Sequence, residues 1–590
     1  MKVLLSGNEA VARGAFEAGC RFGAAYPGTP STEIMENFVR YPGVHAQWSP
    51  NEKVAFEVSI GASLGGARAL CAMKHVGVNV AADPLMTFAY TGVNGGFVLI
   101  SADDPEMHSS QNEQDNRRWG PFAKIPILEP SDSQECRDFI IKAFALSEKF
   151  DTPVMLRLTT RISHSKGVVE VGEAKEPLPA KYIRNIAKYT MMPNFAKLRH
   201  HIVEERMVKL AEFSETCEFN REEISDKSLG IITGGVSYQY VKEVLPKASV
   251  FKIGMTYPLP IERIRKFTGK IKRILVVEEL EPFYEEQLII HGIPCEGKKF
   301  LSLEGELTPE RLRQGMIKAG VLDNGKIVIP QGEKVIPRPP VLCAGCAHRG
   351  VFLTLKKLKA EVFGDIGCYT LAGFEPLEAL HTTICMGASI GSAIGASLVG
   401  GTAKSVAIIG DSTFLHSGIT GLLDAVYNQA TITVIILDNR ATAMTGGQQH
   451  PATGFNLKGE AAPAVNLENI VRALGVKNVR LIDPYNLEET RTALKASMGE
   501  AGPSVVITTR PCMLFPTKQK GLGKFEIDLE ECNGCGACLR IGCPAITGAG
   551  VFTDKKLEKA IIDAESCTGC EICVQVCPID VIHPLEVEKV

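Results

Sequence analysis

Eight of the 18 cysteines fall between Cys532 and Cys577, in two runs whose spacing suits inorganic iron and sulfide. Cys532, Cys535 and Cys538 stand three apart and precede Cys543-Pro544; Cys567, Cys570 and Cys573 repeat the pattern and precede Cys577-Pro578. Three thiolates so spaced wrap one corner of a [4Fe–4S] cubane, and where two such runs occur the cysteine before proline ligates the other cluster. The expected sets are Cys532, Cys535, Cys538 and Cys577, and Cys567, Cys570, Cys573 and Cys543. The first run has four residues before its last cysteine instead of three, an insertion that leaves the set intact. Zinc in paired CxxC units is the competing reading, but zinc has no use for the cysteines before proline. Residues 524–590 hold 6 basic against 12 acidic residues, a net of −6. Such a module carries electrons, not anions.

A second constellation lies upstream. Ser405 to Ile409 reads as a strand, Leu415 to Gln429 as a helix and Thr431 to Leu437 as the next strand, one right-handed βαβ crossover. Ligands of such sheets sit beyond the carboxyl ends of strands, where Gly410-Asp411 and Asp438-Asn439 fall. A hard divalent cation there needs only a carboxylate, an amide and a carbonyl, with diphosphate oxygens and water completing its shell. Asp411, Asn439 and the backbone near Ala441 supply them, although an ordinary βαβ turn reads the same. The segment resembles the thiamine diphosphate and Mg²⁺ motif, and Met444-Thr445-Gly446-Gly447-Gln448 resembles the diphosphate-covering loop of 2-oxoacid:ferredoxin oxidoreductases. That resemblance implies cofactor contacts from Gly410, Asp411, Ser412, Asn439, Gly446 and Gly447, and Mg²⁺ held by Asp411, Asn439 and Ala441. Gly387, Gly391 and Gly395 recur every four residues, which on a helix suggests one face packed closely on a neighbouring backbone.

Thiamine diphosphate reacts only when a carboxyl group hydrogen-bonds its aminopyrimidine ring. Asn51-Glu52-Lys53-Val54-Ala55 resembles the family's catalytic glutamate segment, and Glu52 is preferred to Glu57; alone, a Glu at a helix start is an ordinary first-turn charge. Tyr26-Pro27-Gly28-Thr29-Pro30 resembles the substrate-contacting YPxTP loop, implying that Thr29 meets substrate, where the plain reading is a Pro-Gly turn. Relatives that use pyruvate carry an arginine for the substrate carboxylate where this chain has Gln111. The exchange loses a bidentate ion pair and makes room for a larger side chain.

Cys343-Ala344-Gly345-Cys346, Cys368 and Cys512 resemble the ligands of a third, cofactor-proximal [4Fe–4S] cluster. A vestigial site and a structural metal are the alternatives. Cys20, Cys71, Cys136, Cys217, Cys295 and Cys385 stand alone and read as packing thiols. His348 and His381 either face the cofactor or sit in the core, and His200-His201 reads as solvated.

These residues need several scaffolds. At roughly 150 residues per domain, 590 residues make about four. Residues 1–165 alternate short apolar runs with helical stretches, a parallel α/β domain, and the resemblance implies that it is the pyrimidine-binding one. Residues 166–225 form a connecting helical segment in which Phe195, Leu198 and Ile202 recur at helical spacing. A smaller α/β domain with strands at Leu229–Thr233, Ser249–Ile253 and Arg273–Glu278, like the transketolase C-terminal domain, spans 226–329. A Pro-rich linker, 330–342, leads to the diphosphate domain, 343–516. After Lys520-Gly521-Leu522-Gly523 comes the two-cluster ferredoxin domain, 524–590. The fold class expected is therefore multi-domain α/β with two parallel-sheet thiamine diphosphate domains.

Net charge is −3, with no run of five or six like charges, so nucleic acid is a poor partner. Ile384 to Val399, the longest apolar stretch, is broken by Ser and Gly and is shorter than the roughly 20 residues that span a membrane. The opening Met1-Lys2-Val3-Leu4-Leu5 is too short for a secretory core, which points to the cytoplasm. The motifs in this order resemble the alpha subunits of indolepyruvate:ferredoxin oxidoreductases. The resemblance implies oxidative decarboxylation of aryl 2-oxoacids, indolepyruvate or phenylpyruvate, to aryl-acyl-coenzyme A and CO₂, with electrons leaving through the clusters to external ferredoxin. It also implies a small beta subunit and a hetero-oligomer. The alternatives are a different 2-oxoacid, a non-redox thiamine decarboxylase, or a pure electron-transfer scaffold.

Overall fold

The structure is a computed structural model that describes residues 1–177, 181–323, 339–400, 405–515 and 523–585. Pro330 to Arg338 of the expected linker and Lys520-Gly521-Leu522 lie outside them. The chain forms two compact units, residues 1–330 and 331–590.

In the first unit, β1 (Phe22–Ala25), β2 (His45–Trp48), β3 (Ala69–Lys74), β4 (Phe97–Asp103), β5 (Ile127–Leu128) and β6 (Val154–Thr159) pair in parallel, in the order β5-β6-β4-β3-β1-β2. Strands β3, β4 and β6 are buried throughout, which is why they read as near-continuous apolar runs covered on both faces. Helix α1 (Glu52–Leu64) follows β2. Helix α2 (Pro193–Ser214) carries Phe195, Leu198 and Ile202 and buries a different set of side chains. Leu198 and Ile202 are exposed, whereas Arg199, Val203, Arg206 and Leu210 are buried. Arg199 Nε and Arg206 Nη1 donate to the carbonyls of Tyr90 and Asp151 at 2.7 Å, so hydropathy counts as polar a face that is satisfied indoors. His200 and His201 are exposed.

The smaller sheet is β7 (Arg221–Glu223), β8 (Asp226–Gly234), β9 (Ala248–Ile253) and β11 (Arg273–Val277), in the order β11-β8-β9-β7 with only β7 antiparallel. Between β9 and β11, β10 (Met255–Tyr257) leaves this sheet and pairs antiparallel with β5 of the first one. The small domain thus extends the large sheet.

The second unit opens with α3 (His348–Leu358) and holds an all-parallel sheet of β12 (Glu361–Phe363), β13 (Ser405–Gly410), β14 (Thr433–Asp438), β15 (Asn478–Ile482) and β16 (Ser504–Thr509), ordered β12-β13-β14-β16-β15. The register pairs Gly410 with Leu437, so both strands end at one edge. The crossover helix begins earlier than Leu415: Asp411–Thr413 is already helical, Phe414–Gly418 is a π-type turn, and Ile419–Tyr427 completes it. Asp-Ser-Thr favours caps by propensity, but here Thr413 Oγ1 is tied to the Ile366 carbonyl at 3.1 Å. Helix α4 (Ala388–Leu398) starts after Gly387, whose φ is +89°. A Cβ on Gly387 would stand 2.5 Å from Ser417 Cβ, whereas one on Gly391 or Gly395 would meet nothing within 4 Å, so the expected close packing holds only at Gly387 among the described residues.

The tail contributes two short antiparallel pairs, β17 (Phe525–Ile527) with β20 (Ile582–Pro584) and β18 (Ile546–Phe552) with β19 (Glu558–Ile562). Its apolar residues Ile527, Ile541, Ile562 and Ile572 join one core with Val351, Phe352 and Leu355 of α3.

Candidate cofactor and electron-transfer site

Asp411 follows β13 directly, and its side chain is buried. Oδ1 accepts the Ser412 N–H at 2.7 Å; Oδ2 accepts the Arg440 N–H at 2.8 Å and faces His450 Nε2 at 3.1 Å. These bonds bring the loops after β13 and β14 together, and Thr442 Oγ1 adds a bond to Ser412 Oγ at 3.0 Å. Asn439 is buried beside them, its carbonyl accepting the Cys512 N–H at 2.9 Å and its Oδ1 the Ala441 N–H at 3.3 Å. The Asp438 carboxyl is pushed up to about 6 by burial and by the Asp411 charge, and its Oδ1 is buried with no hydrogen-bond partner. A buried acidic donor set with an orphaned oxygen fits a divalent cation. Gly446 and Gly447 have φ of +122° and +89°, and a Cβ on Gly447 would lie 2.1 Å from the Phe515 ring. Only glycine suits that turn.

His348 is fully enclosed and burial pushes it down to about 4, so it is neutral near pH 7; its ring lies edge-on to Tyr369 at 5.9 Å. The Tyr369 hydroxyl accepts the Gly410 N–H at 3.1 Å. His381 is exposed and its Nδ1 accepts the Val362 N–H at 3.1 Å, a structural contact.

Cys343, Cys346, Cys368 and Cys512, distant in sequence, gather in this unit. Burial pushes the Cys346 thiol up to about 12, with Cys368 and Cys343 adding to the rise. Burial likewise lifts Cys368 up to about 11, with Cys512 and Cys343 pressing the same way. The Cys512 N–H bond to the Asn439 carbonyl sets Cys512 beside the carboxylate loop. Such mutual repulsion is relieved when a cation is bound.

In the tail, one cavity is lined by Cys543, Cys567, Cys570 and Cys573 and a second by Cys532, Cys535, Cys538 and Cys577. Each cavity is lined by three cysteines of one run and one of the other. The first cavity is also lined by Ala344 and Gly345 of the Cys343–Cys346 turn. Gly345 (φ +63°) packs so closely on the Cys567–Cys570 loop that a Cβ would lie 1.9 Å from Thr568 Oγ1. Of the solitary cysteines, Cys20, Cys71, Cys136 and Cys217 are buried and Cys295 is half-buried. Cys385 departs from the packing expectation, being exposed on the segment before α4.

In the first unit, Glu52 is the first residue of α1 and is buried, while Glu57 is exposed and paired with Lys53. Asn51 caps the helix, its Oδ1 accepting the Val54 N–H at 2.9 Å. Glu52 lies against Gly77, where a Cβ would stand 2.7 Å from Glu52 Cγ. Thr29 is half-buried. The helix after it begins only at Thr32, and its start is closed by Gly28 N–H donating to Thr32 Oγ1 at 3.0 Å. Gln111 is exposed. Lys74, which sequence reasoning missed, packs against this loop. Its Cβ would lie 3.2 Å from one on Gly28, and Nζ donates to the Ser109 carbonyl at 2.6 Å, with Asp104 at 4.0 Å. Ser109 Oγ in turn reaches the Thr29 carbonyl at 3.4 Å. Burial pushes Lys74 down to about 8 despite Asp104. A lysine closing the otherwise apolar β3 at its carboxyl end was the available signal. Elsewhere Glu106, His108 and Glu306 cluster, but the two carboxylates are already paired with Arg311 and Arg161.

Residues 13–211 match the family described as pyruvate flavodoxin/ferredoxin oxidoreductase, thiamine diphosphate-binding; 365–508 match the thiamine pyrophosphate enzyme C-terminal binding domain; and 531–581 match the 4Fe-4S dicluster domain. The chain is 42% identical to "Indolepyruvate oxidoreductase subunit IorA" of Archaeoglobus fulgidus, covering 99% of this chain and 97% of that one. It is 40% identical to the subunit so named in Pyrococcus horikoshii (98% and 96%) and 38% identical to that of Methanothermobacter thermautotrophicus (99% and 97%). Identity of that order from end to end, across thiamine-type and iron–sulfur domains alike, means that the chain belongs to the IorA family of indolepyruvate oxidoreductase subunits, enzymes of the thiamine diphosphate-dependent oxidoreductase class.

Proposed function

We propose that the chain oxidises aryl 2-oxoacids such as indolepyruvate and phenylpyruvate, with coenzyme A as acyl acceptor and external ferredoxin as electron acceptor. The balance is one 2-oxoacid, one coenzyme A and two oxidised ferredoxins to one acyl-coenzyme A, one CO₂, two reduced ferredoxins and a proton. Thiamine diphosphate, when bound, supplies an electron sink for the carbanion left by CO₂. Glu52, buried beside Gly77, would hydrogen-bond the pyrimidine ring and hold its proton. Asp411, Asn439 and the Ala441 carbonyl would hold Mg²⁺, and Gly410, Ser412, Gly446 and Gly447 would contact the diphosphate. Thr29 orients the 2-oxoacid. Cys343, Cys346, Cys368 and Cys512, and the two tail sets, would each hold a [4Fe–4S] cluster, a one-electron acceptor. A small beta subunit completes the enzyme, in the cytoplasm; among the described residues no helix is long and apolar enough to cross a membrane.

The observation that carries this reading is continuity: the cysteine quartet whose Cys512 sits beside the carboxylate loop abuts, through Gly345 and Thr568, the cavity of the next quartet. A non-redox decarboxylase has no use for such a series. The test is an anaerobic panel of 2-oxoacids with ferredoxin, coenzyme A and beta subunit, beside iron, sulfide and thiamine content of the same sample. Arylpyruvates are expected to reduce ferredoxin fastest. Faster reduction by pyruvate or 2-oxoglutarate would overturn the substrate class, and aldehyde release without ferredoxin reduction would restore the decarboxylase.

A further inference from the structure

Arg349 lies in the first turn of α3 and is 2% exposed. Its Nη1 donates to the carbonyls of Ile541 at 2.8 Å and Gly542 at 2.6 Å, just before Cys543. Nη2 donates to the carbonyls of Leu342 at 2.7 Å and Cys343 at 2.9 Å. One guanidinium therefore clamps the backbone that carries a ligand of the third quartet and the backbone that carries a ligand of the Cys567 set. It also lines the cavity of that set.

The placement is costly by every local rule. A buried cation at a helix N-terminus faces the positive end of the dipole. Burial of a charge without a partner costs several kcal/mol. Among the described residues Arg349 forms no ion pair with a carboxylate, and its Nε is buried without a hydrogen-bond partner. Four carbonyls satisfy its donors but bring no formal negative charge. The negative charge within reach is that of cysteine sulfur. Arg349 lines the cavity of Cys543, Cys567, Cys570 and Cys573 and holds the Cys343 carbonyl, so cluster thiolates would sit beside it.

We propose that Arg349 is a redox-tuning residue, the built-in counter-charge shared by the third cluster and the Cys543–Cys567–Cys570–Cys573 cluster, placed to make both easier to reduce than the cluster of Cys532, Cys535, Cys538 and Cys577. This rests on the function proposed above. Reducing a [4Fe–4S] cluster adds one negative charge to it, and a fixed adjacent cation stabilises the product more than the reactant, which raises the potential. Arg349 itself neither takes nor gives an electron; it acts through its charge and by fixing the gap between two cluster loops.

The test is a potentiometric titration of the holoenzyme with its beta subunit, followed by electron paramagnetic resonance, for wild type, Arg349→Gln and Arg349→Lys. Arg349→Gln keeps some donors and loses the charge, and its two flanking clusters should become about tenfold harder to reduce, about 59 mV lower for one electron. The Cys532 cluster should not move. Arg349→Lys keeps the charge and loses the fork, so its potentials should stay near wild type. Equal shifts in both variants would reveal a purely structural clamp, and no shift in Arg349→Gln would overturn the assignment outright. Should Arg349→Gln fail to load iron, Arg349→Lys still decides, because lowered potentials there contradict a charge role. Wild-type protein without iron and sulfide would instead defeat the functional reading itself, whereas full clusters with unmoved potentials defeat only this inference.

Discussion

Glu52 and Glu57 share a helix and differ in surroundings, one buried against Gly77 and one exposed and paired with Lys53. Replacing Glu52 by Gln should lower turnover by roughly 10² to 10⁴ if it handles the proton. Glu57→Gln should leave turnover within a factor of about two, as most exposed substitutions do. Steady-state rates with saturating thiamine diphosphate compare the two. Lys74 makes a pH prediction. Its ordinary value is 10.5, and burial brings it to about 8 in the folded chain. Between those values the unfolded chain binds more protons, so this group makes stability rise with pH from about 8 to 10.5 and imposes its full cost below 8. Activity runs the opposite way. If the Lys74 charge attracts the 2-oxoacid carboxylate, KM should climb as pH passes about 8, and Lys74→Met should show the high KM at every pH. A Lys74→Met profile parallel to wild type would remove the lysine from substrate binding.

At the scale of elements, the loops after β13 and β14 meet because their strands end in register and because Asp411 accepts N–H groups from both. The turn at Gly446-Gly447 is the least tolerant part. Alanine at position 447 would carry about 1–2 kcal/mol of left-handed backbone strain, beyond its collision with Phe515. Gly447→Ala should therefore lose affinity for thiamine diphosphate while the parallel sheet still melts cooperatively; calorimetry with and without the cofactor separates the two. The strands of this sheet were legible as apolar runs. The helical start at Asp411 was not, because a tertiary hydrogen bond from Thr413 outweighs the cap preference of Asp-Ser-Thr. On α2 the apolar periodicity of Phe195, Leu198 and Ile202 marked a helix but not its buried face, since Arg199 and Arg206 are buried on carbonyls that no sequence window contains.

At the scale of the whole second unit, the tail shares a core with α3 yet owns only short strands, so much of its stability must come from what its thiols bind. Chelating the iron anaerobically should expose the amides of residues 523–585 to hydrogen exchange while β13, β14 and β16 stay protected. Equal protection with and without iron would mean that the apolar core suffices.

Cysteine spacing and the Gly-Asp and Asn positions were readable in one dimension, because cluster ligation and strand-end loops are local geometry repeated along the chain. The fold class followed for the same reason, as buried parallel strands announce themselves in continuous apolar runs. What the sequence could not carry was adjacency between distant segments: Gly345 against Thr568, Lys74 behind Gly28, and Arg349 between two cluster loops. Those placements arise from packing and from the need to satisfy buried charge, and both act through space.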